Sequence, residues 1–153
     1  MDTRMQLWTA IPALCEMVDD LPFHTLARRT PCSRYSVQDL LNHLVEEGFR
    51  YSALLRGEDP PVEVPFAYGW VPATELRAAM AALRGAVVCA LDTEREISTP
   101  KGPMSVDVFL RFVEFDLMLH GWMLGAATGR SFVSSADLLA VADDFACVTL
   151  SAA

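Results

Sequence analysis

The chain has 153 residues, which suits one domain with a real core and is short for two. Its formal net charge of -8, with no clustered basic stripe to offset the acidity, argues against a general affinity for nucleic acid or for anionic membrane surfaces. Hydrophobic residues make up 52% of it, carried by Ala and Leu more than by β-branched residues, and that balance favours helices.

From about Met5 to Asp19, Trp8, Ile11, Cys15 and Val18 follow helical spacing, with Pro12 expected to kink the helix or to sit in its first turn. No secretory signal is expected, because Asp2, Gln6, Pro12 and Glu16 interrupt any apolar run. The segment Leu21 to Pro31 is a connector; His24 and the basic pair Arg28 and Arg29 are taken as its loop residues. Ser36 then opens a second helix, with Asp39 completing a capping box. Val37, Leu40, Leu41, Leu44, Phe49, Leu54 and Leu55 continue it to Arg56, and His43 falls on or beside that stripe.

Residues 57–72 carry four prolines and cannot be regular helix; their Phe66, Tyr68 and Trp70 suit either a pocket lid or a surface loop pinned to the bundle. A third helix runs from about Ala73 to Leu91, with Leu76, Met80, Leu83, Val87 and Leu91 along one side. A turn-rich connector, Glu94 to Met104, has room for a short hairpin centred on Lys101 and Gly102. Ser105 is a sound N-cap for a fourth helix ending near Gly125. Ser134, Ser135 and Asp137 restart a fifth, with Leu138, Leu139, Ala142, Phe145, Ala146 and Val148 as its apolar face. The pattern predicts an all-α antiparallel four-helix bundle with an additional C-terminal helix, one domain over residues 1–153.

Four cysteines show no CxxC spacing: Cys15, Cys89 and Cys147 fall on predicted core faces, and Cys32 lies in a polar loop. Buried reduced thiols and the absence of a leader together predict a cytoplasmic protein. The longest apolar stretch, around Leu117 to Thr128, is too short to span a bilayer.

Ionisable side chains on apolar helix faces carry the functional signal. Asp116 and His120 lie four residues apart, one turn along a helix, among Phe115, Leu117, Met118, Leu119 and Trp122. His43 and Glu47 repeat that spacing on the second helix. A buried charge needs a partner or a metal. If the two helices are neighbours, His43, Asp116 and His120 form a three-ligand set for a divalent cation: Zn²⁺ first, with Ni²⁺ or Fe²⁺ as alternatives, and a position left open for water or substrate. Glu47 is a fourth candidate ligand or a general base; Arg50 and Arg111 are candidates for an anionic substrate group. Asp39 is placed to orient His43. The plainer alternative is a structural histidine and an Asp to His hydrogen bond, with Glu47 solvated beside Arg50.

The run TPCSRYSVQDLLNHLVEE resembles the T-P-C-x-x-W-T-V-x-D-L-L-x-H-L signature of the DinB-like superfamily, in its actinobacterial branch related to mycothiol-dependent maleylpyruvate isomerase. The later run DLMLHGWMLGAATGR is similar to that branch's D-x-x-x-H-G-W-D-L-A-x-A-T-G. The resemblance covers about Met5 to Arg130 and implies a DinB-type bundle whose divalent metal is held by His43, Asp116 and His120. It also implies a thiol cofactor such as mycothiol, as in relatives that are thiol S-transferases or isomerases. Tyr35 stands where the signature has Trp, and Met123 where it has Asp. Three readings follow: a metal-dependent thiol S-transferase or isomerase acting on a small electrophilic molecule, a thiol-independent isomerase, lyase or cyclase, and a non-catalytic binding or dimerising domain. A homodimer is compatible with each.

Overall fold

The computed structural model describes residues 2–62, 72–132 and 135–151. Five α-helices are present: α1 (Thr3–Val18), α2 (Val37–Arg56), α3 (Pro72–Cys89), α4 (Val106–Thr128) and α5 (Ser135–Ser151). A 3₁₀ turn at Phe23–Ala27 and a hairpin of β1 (Glu96–Thr99) and β2 (Gly102–Ser105) complete the described elements. The all-α expectation holds, hairpin included. The long segment with Phe66, Tyr68 and Trp70 lies outside the described residues.

Local chemistry sets the helix ends. The Ser36 hydroxyl accepts from the Asp39 backbone N–H while the Asp39 carboxylate accepts from the Ser36 backbone, the reciprocal box that occupies two otherwise orphaned donors. That backbone N–H holds the Asp39 carboxyl below its usual range. At the far end Gly57 takes φ +73°, where a side chain would be strained. Ser105 caps α4, which runs three residues beyond the expected Gly125 and stops at Gly129, φ +72°. Helix α1 begins at Thr3 under an Asp2 cap, so Pro12 lies in its interior rather than its first turn.

Around the bundle the neighbours run α2, α3, α1, α4 and back to α2. The α2–α3 seam is the tightest, because Gly48 lets the helices approach until an added Cβ would stand 2.8 Å from Met80 Cε. The α2–α4 seam is the loosest of the four, and the hairpin bridges it, β1 on α2 and β2 on α4. Leu7, Leu14, Leu40, Leu41, Leu44, Leu76, Leu83, Leu110 and Leu117 fill the centre, each at 1% exposure or less. Arg130, just past α4, donates to the carbonyls of Met17 (2.9 Å) and Asp19 (2.5 Å) and so caps the last turn of α1 from a distant part of the chain.

Several expected core positions are not core. Trp8 is 41% exposed, its ring covered by the Arg84 guanidinium, and Leu91 lies beyond the end of α3. Cys89 and Cys147 are exposed; Cys15 is buried, and burial raises its thiol pKa. Helix α5 packs chiefly on α4, so only part of its apolar face finds a partner. Phe145 stacks on Phe115, while Leu139 and Ala146 face solvent.

Glu114, on α4, is buried at 5% exposure and has no hydrogen bond among the described residues. Burial, reinforced by Asp144 and opposed by Arg111 and the N-terminal ammonium, raises its pKa to about 7. The folded chain therefore holds a proton that the unfolded chain releases, so the stability present below about pH 4.5 is lost as pH rises to about 7. The cost is on the order of 3 kcal/mol. Glu114→Gln should flatten this slope in urea unfolding measured from pH 4 to 8 and exceed the wild type at pH 8 by about 1–3 kcal/mol. Parallel pH profiles for the two proteins would contradict it.

Candidate metal centre

His43 sits in the middle of α2, seven residues after its cap; Asp116 and His120 sit one turn apart on α4. The loose α2–α4 seam brings them together: one ligand atom from each lies within 4.8 Å of the other two. Three atoms so spaced share a centre within about 2.8 Å of each, so closing onto bonds of about 2.1 Å asks for shifts of under an ångström. The imidazoles of His43 and His120 meet edge to face with centroids 4.8 Å apart. Tyr35 stacks on the other side of His43 at 5.7 Å, so the residue that departs from the signature still supplies the flanking ring.

The donors are only partly satisfied by the protein. His120 Nδ1 is 3.4 Å from Asp116 Oδ2, too long for a strong hydrogen bond, and is buried without a hydrogen-bond partner. A buried, unsatisfied imidazole nitrogen pointed toward a carboxylate and a second imidazole suits a borderline cation. Burial, followed by the nearby His120, depresses the His43 pKa and favours the neutral ring that a metal ligand must present.

Tyr51, two turns after His43, was not singled out from the sequence. Its hydroxyl donates to Asp116 Oδ2 at 3.0 Å, crossing the seam, while its ring meets Phe109 and Phe112 edge-on. Burial, with the charges of Asp116 and Glu47, raises its pKa, so it stays a phenol and a donor. This bond holds the Asp116 carboxylate in place, a positioning role of the kind expected behind a metal ligand.

Beside His43 and Asp116 opens a cavity of about 310 Å³. His43, Glu47, Arg50 and Tyr51 line it from α2, and Phe109, Phe112 and Asp116 from α4. Glu47 is buried and ion-paired with Arg50. The hairpin tip adds Lys101, whose ammonium lies 4.9 Å from the Phe112 ring centroid. Lys101 also escaped the sequence reading, since nothing in a turn's composition says which seam it will cover.

Arg111 is elsewhere. It pairs with Asp107 on its own helix and with Asp144 on α5, and it does not line this cavity. The expected substrate contact therefore gives way to a strut between helices, because position 111 faces α5 rather than α2. Asp39 is occupied by its cap. Met123, where the signature has Asp, is buried in the apolar core.

A family described as mycothiol maleylpyruvate isomerase N-terminal domain, part of the DinB-like superfamily, matches residues 6–125. Two uncharacterised proteins of Mycobacterium tuberculosis, from strains CDC 1551 / Oshkosh and ATCC 25618 / H37Rv, are each 30% identical over 135 residues, covering 86% of this chain and 70% of theirs. No solved structure gives a significant match.

Removing the Tyr51 hydroxyl tests the positioning bond. Tyr51→Phe keeps the ring contacts but leaves Asp116 short of a donor, and should lower stability by about 1–2 kcal/mol in denaturant titration. An unchanged midpoint would show that the bond contributes nothing to holding Asp116.

Proposed function

The chain belongs to the mycothiol maleylpyruvate isomerase N-terminal domain family, and from that premise we propose a metal-dependent thiol S-transferase or isomerase that uses a low-molecular-weight thiol such as mycothiol on a small electrophilic molecule. The observation that carries this reading is the convergence of His43, Asp116 and His120, the first two of which line a cavity that also contains a buried carboxylate, Glu47. His43, Asp116 and His120 would hold the divalent cation, with Zn²⁺ the first choice for two imidazoles and a carboxylate. Bound there, the cation would supply the Lewis acidity that lowers a thiol's pKa and keeps a thiolate available at neutral pH.

The protein's own groups divide the remaining work. Tyr51 keeps Asp116 oriented. Glu47 lies where it can accept the thiol proton and return it to the substrate, and it is ion-paired with Arg50. Arg50 and Lys101 place positive charge on the cavity wall and favour an electrophile that carries an anionic group. Phe109, Phe112 and Met104 give the wall an apolar remainder that excludes water from the reacting atoms. None of the described helices is long and apolar enough to cross a membrane. A cytoplasmic location, where low-molecular-weight thiols are kept reduced, accords with the proposed chemistry.

Metal content of protein prepared without an affinity tag is the first test. About one equivalent of Zn²⁺ or another divalent ion is expected, falling below about a tenth in His43→Ala and His120→Ala. Wild-type protein that stays below a tenth after Zn²⁺ or Ni²⁺ is added would defeat the metal assignment. Consumption of a thiol against small electrophiles is the second: Glu47→Gln should keep its metal and lose about a hundredfold in turnover. Turnover that survives chelation and needs no thiol would instead favour a thiol-independent isomerase, lyase or cyclase.

A further inference from the structure

Glu114 does not belong to the centre just described. It lines a second cavity, of about 480 Å³, whose other walls come from α1, α5 and the return of the chain after α4. Ala10, Ala13 and Ala140 leave the space, and Met118, Val141 and Phe132 give it an apolar surface beside the polar Gln6 and Thr9. Phe132 is held against α4 because Gly121 has no Cβ, which would otherwise lie 2.1 Å from its ring. No residue is shared with the cavity beside His43.

Glu114 is 95% removed from solvent and has no hydrogen bond among the described residues, and a second carboxylate, Asp137, lines the same cavity. Among the described residues no cationic side chain lines it. Of the two cations that act on Glu114, Arg111 is taken by Asp107 and Asp144, and the N-terminal ammonium has the smaller effect. A buried carboxylate left in this way costs the fold stability unless a proton or a cation joins it.

We propose that the cavity between α1, α4 and α5 is a binding site for a small amine with an apolar body, its ammonium paired with Glu114 and its hydrocarbon or aromatic part packed against Met118, Val141 and Phe132. An ammonium group supplies both the missing charge and hydrogen-bond donors. The volume lies in the range of small-molecule sites, and the small alanine side chains admit a chain or a ring. An alcohol of the same shape leaves the carboxylate without its counter-charge, and a carboxylic acid adds a like charge. The site therefore distinguishes ligands by charge rather than by length.

Isothermal titration of the full chain at pH 8 with n-hexylamine hydrochloride, hexan-1-ol and sodium hexanoate tests this. One saturable site is expected for hexylammonium, at least about tenfold tighter than for hexanol, with hexanoate weakest. Glu114→Gln, nearly isosteric and expected to fold at least as well, should erase the preference for the amine. Ala140→Trp, on the partly open side of α5, should weaken hexylammonium binding by occupying the space, and chelation with EDTA should leave it unchanged. Equal affinities for the amine and the alcohol, a preference that survives in Glu114→Gln, or no saturable heat from hexylammonium would each overturn the assignment.

Discussion

The hydrogen bond from the Tyr51 hydroxyl to Asp116, across the seam between α2 and α4, ties together the part of the bundle that apolar packing leaves loosest. Elsewhere the helices are held by leucine against leucine, and at α2–α3 by the close approach that Gly48 permits. Between α2 and α4 stand two imidazoles, a carboxylate and a phenol, which cannot be packed as hydrocarbon and must be satisfied by one another or by a ligand. The position of these groups decides where the cavity opens, because side chains that keep their polar atoms free cannot also fill the space beside them.

The periphery of the fold supports that seam. The hairpin lies over its end, with Ile97 buried and the Arg95 guanidinium donating to the Leu55 carbonyl at 2.5 Å, so that the tip with Lys101 is held over the opening. At the opposite side, Arg130 binds the carbonyls that end α1, and Phe132 lies on Gly121. These contacts fix α4 relative to α1 independently of the polar centre. The scaffold can therefore tolerate an incompletely packed α2–α4 interface.

Two carboxylates on cavity walls illustrate how environment assigns a role. Glu47 has Arg50 beside it and faces the proposed metal site. Glu114 has no ion pair among the described residues, its neighbour Arg111 being taken by Asp107 and Asp144, and its pKa rises to about 7. Both are buried glutamates in helices. One lies where the proposed thiol chemistry would need a proton acceptor; the other carries a cost of burial that a proton or a positive charge would relieve.

Much of this was legible along the chain. The 3.6-residue spacing of Leu40, Leu41 and Leu44, the Ser36 and Asp39 cap, Ser105, and the turn at Lys101 and Gly102 are short-range features, dictated by backbone geometry and side-chain reach within a few residues. His43, Asp116 and His120 stood out because ionisable groups on apolar faces are costly wherever they lie. Periodicity, however, says which face of a helix turns inward and nothing about which residue it meets there. That is why Arg111 proved to brace α5 instead of the cavity, why Trp8, Cys89 and Cys147 came to the surface, and why Tyr51, Lys101 and Glu114 acquired their significance only when neighbouring elements were set in place. Contacts between residues 65 positions apart, such as Tyr51 with Asp116, are settled by the packing of whole helices, and only the assembled bundle decides them.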